Sequence, residues 1–254
     1  HIWIPDGADI SEIYVKGDIK DRVFIDGGLK FFEQDGTYGN GFRGVLNAEF
    51  KLVGDKRFAI SALAQFGKVS DYKYFLVDAM TVFPEPGIPL GPIAIRGFGG
   101  GVFNRMTRPA EAQSLSNAAT GLPALGASLS GVVYTPSSSA GLGFKAAVIL
   151  ATTPKEQLFN AYLSLEAGFG SNGSIDYIGF TGIGQMMAEV KTGQTATKSG
   201  NPNQVMGSDI AAFVDLVYNF DAKTLDGKID VSIVTPAFHG VGQAHLHFGP
   251  KKWH

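Results

Sequence analysis

The sequence predicts an all-β protein: one large antiparallel sheet, as a curved sheet, an open barrel or a sandwich, with two short helices. The first observation behind this is a two-residue beat of apolar and polar side chains along most of the chain. In residues 161–170, Ala161, Leu163, Leu165, Ala167 and Phe169 share one parity, and Tyr162, Ser164, Glu166, Gly168 and Gly170 share the other. Successive side chains on a strand point to opposite faces, so Leu165 is expected on a buried side and Ser164 on a wetted one. On that facing, Leu165→Lys should unfold or dissociate the sheet and Ser164→Lys should be tolerated. The second observation is the recurrence of turn chemistry, as in Asp35-Gly36-Thr37-Tyr38-Gly39-Asn40-Gly41 and Asn172-Gly173. The third is composition. Charged residues make up 17%, against about 25% in ordinary soluble domains, and the 34 glycines are about twice the average usage.

In chain order, the first strands fall at 12–20 and 22–34. Phe42, Gly44, Leu46, Ala48 and Phe50 alternate with Arg43, Asn47, Glu49 and Lys51, and Gly54-Asp55 closes a hairpin into Phe58, Ile60, Ala62, Ala64 and Phe66. Both parities of 72–83 are mostly apolar, which predicts burial on both sides with Asp78 needing a partner, in a neighbouring loop or in Arg96. Pro84-Glu85-Pro86 breaks that strand and 93–106 resumes the sheet. A short helix is expected at 109–117. A second follows Thr153-Pro154-Lys155-Glu156, where Thr would be the N-cap, Pro the first helical residue and Glu the third. Strands are expected at 141–150, 161–170 and 175–187, the last two joined by an Asn-Gly hairpin. Residues 191–207 read as a mobile loop, and strands at 211–222, 228–234 and 241–248 finish a set of about twelve.

The chain has 254 residues and no cysteine, which excludes a disulfide framework and thiol chemistry. Its net charge of −2, from 21 basic and 23 acidic residues, gives no basic face for nucleic acid. No apolar run reaches the roughly 20 residues of a membrane helix. His1-Ile2-Trp3-Ile4 alternates like a strand already under way and Lys252-Trp253-His254 stops abruptly. The expectation is a single all-β domain over 1–254, excised from a longer chain.

Histidine is the strongest chemical lead. His239, His245, His247 and His254 cluster near the C-terminus, and His245 and His247 share a strand face opposite Ala244, Leu246 and Phe248. Such a pair can present two imidazoles to one metal, with His239 at the right parity for a third ligand. Two solvent-facing histidines on an edge strand is the simpler reading. Gly97–Gly101 lacks the spacing and the following helix of a phosphate loop, and reads as a strand crossed closely by a neighbouring backbone or ring. Ser128 and Ser130 have no base nearby in sequence. Phe31, Phe32, Tyr38, Phe42, Phe50, Phe58 and Phe66 at period two read as core. No catalytic, cofactor-binding or metal residue is assigned, and no cofactor is expected.

Several phrases together resemble a stretch of very large, β-rich, multidomain proteins secreted by gliding-type bacteria. They are Gly28-Leu29-Lys30-Phe31-Phe32, Tyr38-Gly39-Asn40-Gly41-Phe42-Arg43-Gly44, Phe75-Leu76-Val77-Asp78-Ala79-Met80 and Gly97-Phe98-Gly99-Gly100-Gly101-Val102-Phe103. Gly143-Phe144-Lys145-Ala146, Thr153-Pro154-Lys155 and His247-Phe248-Gly249-Pro250-Lys251-Lys252-Trp253 follow in the same order. The resemblance implies an extracellular or cell-surface module and no reaction. The expected function is therefore non-enzymatic: a structural or binding module whose strand edges pair with neighbouring segments of the same large protein or with other copies of the chain. An outer-membrane β-barrel is the alternative. A metal-binding protein or metalloenzyme using His245 and His247 is the third reading.

Overall fold

The computed structural model describes residues 11–250 except 21, 53, 55, 112–123, 188–209 and 236. Its strands are β1 (Glu12–Ile19), β2 (Val23–Asp35), β3 (Gly39–Lys51), β4 (Arg57–Val69), β5 (Tyr72–Val82), β6 (Ile88–Pro89), β7 (Ile93–Asn104), β8 (Met106–Thr107), β9 (Thr135–Pro136), β10 (Ala140–Thr152), β11 (Asn160–Gly170), β12 (Ile175–Met186), β13 (Ile210–Asn219), β14 (Thr224–Val234) and β15 (His239–Phe248). The path β1-β2-β3-β4-β5-β7-β10-β11-β12-β13-β14-β15 is one antiparallel meander, with β6 attached to β7 and β8 paired with β9 outside the sheet. Among the described residues, β1 and β15 each pair on one side only.

Local chemistry sets the turns. Asp35 Oδ1 accepts from the Thr37 and Tyr38 amides at 2.9 and 2.8 Å, which folds β2 back onto β3. Asn172 accepts from the Ser174 amide, and Gly173 takes φ +84°, which closes β11 onto β12. In the glycine stretch a Cβ on Gly97 would lie 2.0 Å from the Thr81 carbonyl oxygen, so the close backbone crossing expected there is present.

Neither expected helix forms among the described residues. Pro109, Ala110 and Glu111 are irregular, and the rest of 109–117 lies outside the described residues. Residues 153–159 make bends and turns that join β10 to β11. Thr153 does not cap: its amide donates to the Pro92 carbonyl at 3.0 Å and its hydroxyl to the Gly91 carbonyl at 3.2 Å. Glu156, the other half of the expected capping box, pairs with Arg96 instead. Tertiary partners outcompeted the local cap. The loop expected at 191–207 also lies outside the described residues.

The strand periodicity is as expected, but the facing is reversed. Ser164 and Glu166 are each 4% exposed, while Leu165 is 57% exposed. The same holds around the sheet: Arg43, Gln65, Asp78, Lys145, Thr181 and Asp215 are buried, and Leu46, Phe98 and Phe144 are exposed. The reason is a chain excursion between β7 and β10. Residues 124–136 enter the concave side, where Met106, Leu129, Val132 and Tyr134 pack with Phe32, Leu63, Tyr74, Leu76, Met80 and Phe103. β5 is therefore buried on one face only, beneath this segment, and its Phe75 and Val77 point to the open outer side.

Ser164→Lys should lower unfolding stability by about 3 kcal/mol, because it places an unpaired cation in the buried interior. Leu165→Ser should change it by less than about 1 kcal/mol. Denaturant midpoints of the two variants check this, and equal losses would contradict the facing.

Candidate functional site

The inner faces of the strands converge on the entering segment and hold it with side chains. Arg43 on β3 donates to Gln65 Oε1 on β4 at 2.8 Å and to the Ala127 carbonyl. Gln65 Oε1 also accepts from the Gly126 amide at 2.8 Å. The Tyr38 hydroxyl reaches the Tyr134 carbonyl at 3.0 Å, and Tyr74 donates to the Tyr38 carbonyl at 2.8 Å.

Two buried ion clusters lie beyond this. In one, Lys145 on β10 pairs with Asp78 on β5, and Asp78 Oδ2 accepts from the Leu129 amide at 2.9 Å. Asp78 thus has the loop partner that was expected, while Arg96 belongs to Glu156 and the Phe83 carbonyl. In the other, Arg108 bridges Glu166 on β11 at 2.7 Å and Asp215 on β13. Thr181 donates to Asp215 at 3.0 Å, and the Tyr134 hydroxyl donates to Glu166. Burial alone would pull the Arg108 guanidinium down, but Glu166 and Asp215 outweigh it and hold its pKa above the ordinary value. Burial pushes the Tyr134 hydroxyl well up, and the Glu166 charge adds to this, so the phenol stays a neutral donor.

These groups hold the interior together. Lys145 lies 3.4 Å from Ser130 Oγ, and Ser130 lies 2.9 Å from Ser128 Oγ. That geometry could suggest a Ser–Lys pair, but the ammonium is engaged by Asp78 and all four residues are buried. An ammonium held this way is a donor and no base.

His245 and His247 do share one face, on β15. Asp226 of β14, which lies 19 and 21 residues earlier, sits between them: Oδ1 is 3.0 Å from His245 Nε2 and Oδ2 is 3.0 Å from His247 Nδ1. His239 pairs with Val234 at the far end of the strand, about 20 Å from His245 at the usual rise of about 3.3 Å per residue. His254 lies outside the described residues. Among the described residues no group of three or more His, Asp or Glu side chains is arranged to hold a metal.

The outer face is the counterpart of this interior. Phe31, Phe42, Phe66 and Phe75 form a file of ring contacts across β2 to β5, with centroids 6.5, 5.3 and 6.1 Å apart. At the other end of the same strands and onto β7, Phe50, Phe58, Phe83 and Phe98 form a second file, at 6.3, 6.3 and 5.8 Å. Phe144 with Phe169, and Tyr218 with Phe220, continue the first file around the sheet. Only Phe32 and Tyr38 of the aromatics expected in the core are fully buried; Phe31, Phe42 and Phe66 are exposed, and Phe50 and Phe58 are half-buried. Between the files the registers align Leu46, Ala62, Ala79, Gly100, Ala146, Leu165, Phe180 and Leu216 in one row across the sheet. No outward-facing described residue between the files is charged. Phe42 and Phe50 are eight residues apart, about 26 Å along a strand and about 20 Å along the axis of a strand tilted by 35–45°.

Comparison with protein-family models, with curated proteins and with solved structures finds no match. No described helix is long and apolar enough to cross a membrane, which says nothing of strands.

Sequence alone left Arg43, Gln65, Arg108, Lys145, Glu166 and Asp215 unassigned as interior groups. The available signal was their constant parity within each strand, opposite the aromatic residues. Asp78→Ala should cost about 3–5 kcal/mol, because Lys145 is left buried without its counter-charge. Asp78→Leu with Lys145→Met should recover most of that loss in a denaturant titration. Additive losses in the double variant would show that the pair is not coupled.

Proposed function

We propose that the chain is a membrane-embedded β-wall of the outer-membrane-barrel type, a structural component of a cell surface with no catalytic role. The single observation that carries this is the uncharged outer face bounded by two aromatic files around an ionised interior. Membrane barrels have this layout: an apolar band about 25 Å tall, aromatic girdles at both interfaces and a polar inside. In water the same surface would be a large exposed apolar patch, which folded soluble proteins avoid. Backbone groups offer no obstacle, since strands paired on both sides satisfy each other.

The wall is non-conducting in this reading, because residues 124–136 fill the concave side and are tied to it by Arg43, Gln65, Asp78 and Glu166. The same ties support the absence of catalysis: the polar groups that could react are engaged with one another and removed from solvent. A surface location accords with the resemblance to large secreted or surface proteins of gliding-type bacteria. The second reading is a water-soluble structural or binding module of such a protein. It is favoured by the two free strand edges, which lipid does not tolerate unless they are paired.

Light scattering separates the two readings. Aggregation in detergent-free buffer and a monodisperse particle in detergent are expected; a monodisperse particle in buffer that does not enter lipid vesicles would contradict the proposal. Leu165→Lys and Ala146→Lys place a cation on the mid-band of the outer face, at about 2–4 kcal/mol each. Vesicle insertion should fall by about 30-fold or more for each, with strand content unchanged in detergent.

A further inference from the structure

The β15 edge of the sheet lacks the devices that keep natural edges from pairing. Exposed edge strands are usually shortened, bulged, or protected by Pro or by charged side chains. β15 runs for ten residues, HGVGQAHLHF, with no Pro, Lys, Arg, Asp or Glu. β1 runs for eight, EIYVKGDI, and all its charges lie on one face. Both strands are exposed on both sides, unlike the strands between them. They do not pair with each other in the single chain.

The edges do match each other. The path has twelve strands in strict alternation, so β1 and β15 run in opposite directions and their free ladders are complementary. The registers place Glu12, Tyr14, Lys16 and Asp18 on the inner face with Lys30 and Asp26. They place Gln243, His245 and His247 on the inner face with Asp230, Lys228 and Asp226. Ile13 and Val15 on one edge, and Ala244 and Leu246 on the other, then continue the uncharged outer face.

A buried group points the same way. Asp230 on β14 is only 8% exposed, and both its carboxylate oxygens are buried without a hydrogen-bond partner. It lies one strand in from the β15 edge, beside Gln243. A buried carboxylate that accepts no hydrogen bond is costly. If Glu12 stood beside His247, Tyr14 would stand beside His245, and Lys16 beside Gln243. The Lys16 backbone would then lie two strands, about 10 Å, from the Asp230 backbone, a gap that their two side chains can span.

We propose that the β1 edge of one copy pairs antiparallel with the β15 edge of a second copy, in the register that sets Glu12 beside His247 and directs Lys16 toward Asp230. This deepens the membrane reading by naming the partner of the edges, yet it does not depend on the surrounding medium. Partition tests the medium and cross-linking tests the edges, so either idea can fail alone.

The absence of cysteine makes the test direct. Val15→Cys and Ala244→Cys are made on separate chains, at exposed outer positions that face each other in this register. Opposed residues on an antiparallel pair have Cα atoms about 4.5–5.5 Å apart, within disulfide range. Mild oxidation should give a covalent dimer only when the two variants are mixed. The yield should be at least tenfold higher than with Gly242→Cys or Leu246→Cys in place of Ala244→Cys. A single chain carrying both Val15→Cys and Ala244→Cys should give a ladder of multimers. A cross-link within one chain would overturn the proposal, showing that the sheet closes on itself. No cross-link at any of the three positions would overturn it as well. Circular dichroism of each variant confirms that the strands are intact before oxidation.

Discussion

Everything in this fold depends on one constraint: the charged residues on the concave side of the sheet must find partners there. Arg43, Asp78, Arg108, Lys145, Glu166 and Asp215 are each removed from water, and an isolated charge in such a place costs several kcal/mol. The segment 124–136 and Arg108 before it supply the answer. The Leu129 and Gly126 amides, the Ala127 carbonyl and the Tyr134 hydroxyl each satisfy a side chain from the wall. Arg108 itself joins β11 to β13. The contacts run from β3 to β13, so the sheet must curve around the segment. Curvature, the filled interior and the outward turn of the apolar residues are consequences of the same set of bonds.

Such an interior gives specificity more readily than stability. Ion pairs of this kind contribute little relative to a well-packed apolar core, but they tolerate few alternative arrangements. Lys145 has Asp78, and Arg108 has two carboxylates converging on it from the inner faces of β11 and β13, on either side of β12. An exchange of register by one residue would carry Glu166 to the outside and leave Arg108 with Asp215 alone. The apolar outer face has no such demand, since a lipid-facing or otherwise covered surface needs only shape and the absence of charge. The long meander with short hairpins follows from local turn chemistry. What fixes its facing is the interior.

Much of this was legible in the sequence and one part was inverted. The alternation at 161–170 located β11 and its hairpin with β12 nearly to the residue, and Asp78 was correctly expected to need a partner, although Lys145 was not foreseen as one. Periodicity, however, specifies that two faces differ and leaves open which one is buried. Leu165 and Ser164 satisfy the pattern equally well with either face buried, and the assumption that the apolar side is the buried one put them the wrong way round. Only the excursion 124–136, which carries little periodic signal, reveals what fills the concave side. The helix expected after Thr153 failed because its cap and its third residue found partners in the preceding loop and in Arg96. The link between His245, His247 and Asp226 was invisible because it depends on strand register and not on spacing along the chain.

The central claim is that the sheet is turned inside out relative to a soluble one, and spin-label accessibility along β11 tests it most directly. Single cysteines at Ser164, Leu165, Ala167 and Leu163, each carrying a nitroxide in vesicle-bound protein, would be probed with oxygen and with a water-soluble nickel complex. Labels at 163, 165 and 167 should relax strongly with oxygen and weakly with nickel, while the label at 164 should respond to neither. Strong nickel relaxation at 163, 165 and 167 would mean that the apolar stripe faces water, and the account would be wrong.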